Sequence, residues 1–215
     1  LTKADSLSNK ILSDDLKKIK SFPILSEEHE FNYDVRKGWK KFWIIDPLDG
    51  TKDFIEKNNE FTINIALIEK NLPTLGLIYA PPLGDLYWAS KNEGAFKNGK
   101  KIFNNSKRTE LIGTHSRFHS NIETANFFKL NKISKIKRFG SALKFCKLAE
   151  GYVDLYPRFT GSMEWDTAAG DIILKESGCD IISLKNKQQL TYNKKSLLND
   201  FFISSRSNLF QNIKI

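Results

Sequence analysis

The ten residues from Phe42 to Thr51, FWIIDPLDGT, close a run of four large apolar side chains with two carboxylates, Asp46 and Asp49. An acid at the end of a buried strand carries a desolvation penalty unless something positive compensates it. The same conflict recurs at Asp5 near a helix start, at Glu27 and Glu28 after the apolar run FPIL, and at Asp166 where another helix begins. Oxygen clusters of this type bind hard divalent cations such as Mg²⁺. Pro47 and Gly50 predict a sharp non-helical turn that points both aspartates to one side and keeps the Leu48 carbonyl out of the strand ladder. The Thr51 hydroxyl is expected to aim at the same point, where it can relay a proton. With two metals roughly 4 Å apart, such a site polarises a phosphoryl oxygen, lowers the pKa of a bound water and stabilises a leaving oxygen. Taken singly, each fragment has an ordinary explanation: a solvated Asp-Pro turn, a pair of surface glutamates, an acid complementing a helix dipole. Their joint occurrence beside apolar segments favours the metal-site reading.

The elements that must position these acids follow from the patterning. Leu7, Ile11, Leu12, Leu16 and Ile19 lie near helical spacing and predict an amphipathic helix opening close to Asp5 and stopped by Pro23. A strand at 42–46 follows. In residues 60–69, Phe61, Ile63, Ile65 and Leu67 alternate with Thr62, Asn64 and Ala66, which predicts a strand with one strongly apolar face. A turn at Asn71 to Pro73, strands at 74–80 and 85–90, and an Asn98-Gly99 hairpin complete a helix plus antiparallel-sheet half. Beyond about residue 110 the pattern changes to strands at 110–114, 135–139, 152–156 and 179–183 alternating with helices. One helix carries a Ser120/Glu123 capping box, one is SALKFCKLAE closed by Gly151, and one begins near Trp165. The expected division is therefore residues 1–112, with most of the metal ligands, and residues 113–215, a mixed α/β half.

Composition bounds the remaining possibilities. The 215 residues suffice for one large domain or two small ones, and 40% of them are hydrophobic. No stretch approaches the roughly 20 apolar residues of a membrane span, so no stable membrane insertion is expected. Cys146 and Cys179 each sit in an apolar pattern and read as packed, reduced thiols of a cytoplasmic protein. The formal net charge of +9 suits an anionic partner. Much of the excess is scattered lysine, and no arginine stripe, zinc spacing or ribonucleoprotein motif accompanies it, which argues against nucleic acid as the partner.

Glu27-Glu28, WIIDPLDGT at 43–51 and WDTAAG at 165–170 together resemble the lithium-sensitive, Mg²⁺-dependent phosphomonoesterases of the inositol monophosphatase superfamily, and the resemblance spans essentially the whole chain. Lys52-Asp53-Phe54, EFTINIALIEK at 60–70, GLIYAPP at 76–82, GSALKFCKLAEG at 140–151 and DLYPRF at 154–159 are similar to the bacterial 3′(2′),5′-bisphosphate nucleotidase branch. That branch converts adenosine 3′,5′-bisphosphate to AMP and phosphate, a reaction of sulfur metabolism. The resemblance implies a five-layer α/β/α/β/α sandwich. It implies that Glu27, Asp46, Asp49, Asp166 and the Leu48 carbonyl hold two and up to three Mg²⁺ ions. Asp5 would pair with Thr51 to activate the attacking water, without a phosphoenzyme. Glu27, Leu48, Asp49, Gly50, Thr51 and Asp166 would also contact substrate, and Ser116, His119, Ser141 and Lys144 fall where the branch contacts its nucleotide.

Two departures from the family pattern stand out. The family carries a further helix and loop ahead of the Thr-Lys-Ala-Asp segment, so a native N-terminal segment is expected to precede Leu1. TGSMEWD at 160–166 lacks the Gly-Pro that often precedes this motif. The rival readings are an inositol or sugar-bisphosphate phosphatase of the same superfamily and, from another class, a basic nucleic-acid-binding protein without catalysis. Oligomeric state is not legible in the sequence.

Overall fold

The computed structural model describes residues 2–118 and 120–214. Helix α1 (Lys3–Ile19) opens before Asp5 because Thr2 caps it. The Thr2 hydroxyl accepts from the amides of Ala4 (3.1 Å) and Asp5 (3.4 Å), and the Asp5 carboxylate accepts from the Thr2 amide. Only part of the apolar stripe is covered: Leu16 and Leu12 pack on Trp43 and Ile45. Leu7, Ile11 and Ile19 face solvent. The helix packs chiefly on β2, with a further bond from Ser26 of β1 to Asn9, and this contact does not reach the rest of the stripe.

The first sheet holds seven strands in sequential order: β1 (Ile24–Ser26), β2 (Lys41–Asp49), β3 (Thr62–Glu69), β4 (Leu72–Ala80), β5 (Asp85–Ser90), β6 (Gly94–Lys97) and β7 (Lys100–Ile102). The first pair is parallel and the others are antiparallel. Two short helices, α2 (Tyr33–Arg36) and α3 (Thr51–Ile55), flank β2. The β3–β4 turn is made by Lys70 and Asn71, both with positive φ, so β4 begins at Leu72 inside the stretch expected to turn. Asn98 and Gly99 form the expected hairpin, with φ of 47° and 77°. On β3 the more buried face is the polar one, Thr62, Asn64, Ala66 and Ile68, while Ile63, Ile65 and Leu67 are half-buried. Both faces of this sheet are covered, so alternation marks which layer each residue meets and not which side is wet.

The second sheet has strand order β11-β12-β10-β8-β9. Its chain order is β8 (Ile112–Ser116), helix α4 (Ile122–Leu130), β9 (Lys135–Phe139), helix α5 (Leu143–Ala149), β10 (Leu155–Arg158), helix α6 (Glu164–Glu176), β11 (Cys179–Ser183) and β12 (Phe202–Arg206). Strands β9, β8 and β10 run parallel, and β12 and β11 add antiparallel pairs. The cap of α4 is Asn121, which accepts from the Thr124 amide, in place of the expected Ser120/Glu123 box. Strand β12 was hidden by its Ser204-Ser205-Arg206 half, yet all five of its residues are buried. Two of its polar side chains meet Asp154 inside: the Ser205 hydroxyl donates to the Asp154 carbonyl at 2.9 Å, and Arg206 pairs with the Asp154 carboxylate.

The layers are α1, the first sheet, α5 with α6, the second sheet, and α4, which is the expected five-layer sandwich. Helix α6 belongs to the second half of the chain but packs on β3 and β4 of the first sheet. Gly76 permits this approach: a Cβ there would stand 2.4 Å from Ile172 Cγ2 and 2.6 Å from the Ala169 carbonyl oxygen. The contact brings the start of α6, and with it Asp166, to the end of β2.

Candidate active site

Strand β2 places two acids by an irregularity. Asp46 pairs with Asn64 and Asp49 with Thr62, so three residues of β2 advance against two of β3. Residues three apart on a regular strand point to opposite faces, and one extra residue restores them to the same face. Pro47, which has no amide hydrogen to offer a ladder, occupies this bulge. The expected sharp turn is therefore a bulge within a strand that runs on to Asp49. The reversal itself falls at Gly50 (φ 89°), after which Thr51 starts α3. The Pro47 carbonyl is held from outside by the Ser8 hydroxyl of α1 at 2.8 Å.

Other elements bring the remaining groups. Parallel pairing of β1 with β2 sets Ser26 opposite Ile45, which puts Glu27 beside Asp46. Asp166, in the first turn of α6, accepts from the Met163 amide at 2.8 Å. Oxygens of Asp46, Asp49 and Asp166 lie within 4.8 Å of one another. Asp49 is oriented by Asn64 Nδ2 at 3.2 Å and the Thr62 hydroxyl at 3.4 Å. The Thr51 hydroxyl stands 3.5 Å from Asp5 Oδ1 and 3.4 Å from the Leu48 carbonyl oxygen. The structure thus brings together Asp5, Glu27, Asp46, Leu48, Asp49, Thr51 and Asp166.

The electrostatics of this cluster suit a cation. Among the described residues no basic side chain is ion-paired to Glu27, Asp46, Asp49 or Asp166. Burial, followed by the Asp49 and Glu27 carboxylates, holds Asp46 well above the usual carboxylate range. Burial and then Asp49 push both Glu27 and Asp166 up to about 7. Crowded like charges on hard oxygen donors are relieved by a divalent cation, so the residues present fit a Mg²⁺-type site.

A cavity of about 210 Å³ opens beside the acids, bounded by Asp49, Asp166, Ser116, Ser141 and Lys144, with Gly50 and Thr51 at its edge. Ser116 is buried at the end of β8. Ser141 has φ 43° and donates its hydroxyl to the Glu60 carbonyl at 2.7 Å; the N-cap of α5 is Ala142. Lys144 lies in the wall, 4% exposed, with its ammonium group on the Phe139 and Ser141 carbonyls. Burial pulls it down to about 8, against the opposing pull of Asp49. His119 lies outside the described residues.

Sequence reasoning gave no role to several groups now found in the wall. Asn64 and Thr62, which aim Asp49, were read only as the polar side of a strand. Arg158 and Tyr156 line the cavity from β10. Glu60 ties two wall loops together, accepting from Arg117 Nε at 3.0 Å and Nη2 at 2.7 Å and from the Gly140 amide at 2.7 Å. A polar pair on the buried side of β3 was the one local signal for Asn64 and Thr62. Glu60 and Arg158 have no signal short of the fold.

Comparisons with known proteins agree with this geometry. The model of the inositol monophosphatase family matches residues 1–208. A 3′(2′),5′-bisphosphate nucleotidase CysQ from Buchnera aphidicola is 43% identical over 183 residues, covering 83% of this chain and 69% of that protein. The nucleotidase CysQ of Salmonella typhimurium is 38% identical over 207 residues, covering 94% of this chain and 83% of its own. Among solved structures, CysQ from Bacteroides thetaiotaomicron superimposes with a TM-score of 0.88 at 36% identity, covering 94% of this chain and 83% of that one. With its acids gathered from both halves at the end of β2, and with this match along nearly its whole length, the chain belongs to the inositol monophosphatase family.

Proposed function

We propose that the protein is a Mg²⁺-dependent phosphomonoesterase that hydrolyses the 3′-phosphate of adenosine 3′,5′-bisphosphate to give AMP and phosphate. The observation that carries this reading is the convergence of Asp46, Asp49 and Asp166, within 4.8 Å, at the side of a cavity that also holds the buried Lys144. The similarity to 3′(2′),5′-bisphosphate nucleotidases supports the choice of substrate.

Glu27, Asp46, Asp49, Asp166 and the Leu48 carbonyl would hold two Mg²⁺ ions, or three. When bound, these supply Lewis acidity to the phosphoryl group, to the water and to the departing oxygen. The chain's own groups handle the proton. Thr51 Oγ1, 3.5 Å from Asp5 Oδ1, passes its proton to that carboxylate as it accepts one from the attacking water. Asp5 is buried and held rigidly by the cap of α1, so the relay needs no rearrangement. Asn64 and Thr62 fix the Asp49 carboxylate in one orientation. Gly50 and the start of α3 edge the phosphate position, and Ser116, His119, Ser141 and Lys144 would contact the nucleotide.

No helix among the described residues is long and apolar enough to cross a membrane. We place the enzyme in the cytoplasm, acting on a small molecule and not on nucleic acid, a reading supported by two buried cysteines without a disulfide. We place the boundary between its halves at residue 112, where β8 begins.

The test is phosphate release from adenosine 3′,5′-bisphosphate and from inositol 1-phosphate at equal Mg²⁺. The nucleotide is expected to have the higher kcat/KM. Preference for the inositol ester would refute the substrate assignment while leaving the metal site in place.

A further inference from the structure

Glu27 and Asp166 reach the acidic cluster from opposite halves of the chain. Glu27 opens the connection from β1 to β2, whose one regular element is the four-residue α2, and Asp166 rides on the first turn of α6. The Glu27 amide still reaches the Ile45 carbonyl at 3.3 Å, but the residues beyond it leave the sheet. Connections of this kind are mobile unless something ties them down. The tie here is Arg36, the last residue of α2. Its side chain is 2% exposed, and its guanidinium makes four hydrogen bonds, none of them to a carboxylate. Nε donates to the Phe31 carbonyl at 3.1 Å, which closes the connection on itself. Nη1 donates to Asn193 Oδ1 at 2.9 Å and to the Lys194 carbonyl at 2.6 Å, and Nη2 donates to the Lys195 carbonyl at 3.1 Å. Asn193 returns a bond from Nδ2 to the Arg36 carbonyl at 2.7 Å.

The same short segment is gripped from its other side by Glu164, the first residue of α6. The buried Glu164 carboxylate accepts from the amides of Asn193 at 2.6 Å and Lys194 at 3.0 Å, and from the Lys194 ammonium group at 2.7 Å. Lys194 is thus held by its amide from one half of the chain and by its carbonyl from the other. A buried charge without compensation is costly, and Arg36 and Glu164 each find theirs in the peptide groups of residues 193–195. From Glu164 the path to Asp166 is short. Met163 donates its amide to the Asp166 carboxylate at 2.8 Å, while its carbonyl accepts from Asn199 Nδ2 at 2.8 Å. We propose that Arg36 is a positioning residue for the metal centre: with Glu164 it clamps residues 193–195, and the clamp fixes the spacing of Glu27 against Asp166. Mg²⁺ demands near-ideal octahedral geometry, whereas Ca²⁺ accepts irregular sets of oxygens. A loosened clamp therefore penalises Mg²⁺ more than Ca²⁺.

The role of Arg36 rests on the metal-centre reading given above, and the experiment separates the two. Mg²⁺ and Ca²⁺ are each titrated by calorimetry into substrate-free, chelator-stripped wild type, Arg36→Lys and Asn193→Gly, well below the melting temperature of each. Arg36→Lys keeps the charge and loses the planar fork that spans three residues of the segment. Its Mg²⁺ affinity is expected to fall about tenfold and its Ca²⁺ affinity by less than about threefold. Asn193→Gly suits the positive φ of 68° at that position and removes one bond in each direction while keeping both buried charges. It should lower the Mg²⁺-to-Ca²⁺ affinity ratio about threefold, and it carries the test if Arg36→Lys does not fold. In phosphate release, the half-saturating Mg²⁺ concentration should rise in step, with kcat at saturating Mg²⁺ within about threefold of wild type. Variants that melt lower but keep the wild-type affinity ratio, through unchanged affinities or equal losses, would mean that the clamp serves the fold alone, which overturns the proposal. A wild type that binds no Mg²⁺ overturns the metal-centre reading, and the role of Arg36 with it.

Discussion

Replacing Glu60 tests whether the cavity walls are held from the first sheet. Its carboxylate accepts two bonds from Arg117 and one from the Gly140 amide, so it joins the loop that follows Ser116 at the end of β8 to the loop before α5, which carries Ser141. The Arg117 side chain is 38% exposed, so the ion pair is screened and contributes about 0.5–1 kcal/mol. The Gly140 bond is charge-assisted and partly buried, worth about 1.5–2 kcal/mol. Glu60→Ala is therefore expected to lower the free energy of unfolding by about 2–3 kcal/mol in urea denaturation. The loosened walls should raise KM for the nucleotide about tenfold, equivalent to ~1.4 kcal/mol of lost preorganisation, with a smaller effect on kcat. Glu60→Gln should recover little. Its amide keeps one acceptor but points an N–H at either the guanidinium or the Gly140 N–H. An alanine variant within about 0.5 kcal/mol of wild type and with KM within about twofold would refute the assignment of a bracing role.

Gly76→Ala should separate α6 from β4, because the added Cβ meets the Ala169 carbonyl at 2.6 Å. The expected cost is about 1–3 kcal/mol in urea denaturation, together with weaker Mg²⁺ binding by calorimetry since Asp166 rides on α6. Asp171 is buried, accepts the Tyr192 hydroxyl at 2.9 Å, and is pushed by burial from 3.8 up to about 7. The folded chain holds this proton where the unfolded chain has lost it, so stability should fall as pH rises from about 4 through about 7. The fall amounts to at most ~4 kcal/mol. Asp171→Asn should flatten that slope in melts across this range.

The site was more legible than the frame around it. Asp46, Asp49, Glu27 and Asp166 stood out because acids beside apolar runs conflict with burial, and that conflict is local in sequence. How β2 turns both aspartates to one face was not legible. Pro47 and Gly50 suggest a turn equally well, and the choice between turn and bulge is made by pairing with Thr62 and Asn64 on β3. Strand β12 was missed because Ser204, Ser205 and Arg206 look like surface residues. For Ser205 and Arg206 the burial is supported by Asp154, some fifty positions earlier, which supplies a carbonyl to one and a carboxylate to the other. The apolar stripe of α1 misled in the opposite direction, since Leu7, Ile11 and Ile19 match a helical face that the fold leaves uncovered. Alternation on β3 identified the strand but not its environment, because the polar residues point at the site and at α6.

The central claim is that acids from both halves of the chain form one metal-dependent hydrolytic centre. Phosphate release from adenosine 3′,5′-bisphosphate, titrated with Mg²⁺ after chelation, tests it for wild type and for Asp49→Asn, which alters one of the three clustered carboxylates. No release is expected from the chelated enzyme, saturable recovery as Mg²⁺ is added, and at least a ~100-fold loss in the folded Asp49→Asn variant. Release that persists without a divalent cation, or an Asp49→Asn variant that matches wild type, would contradict the account.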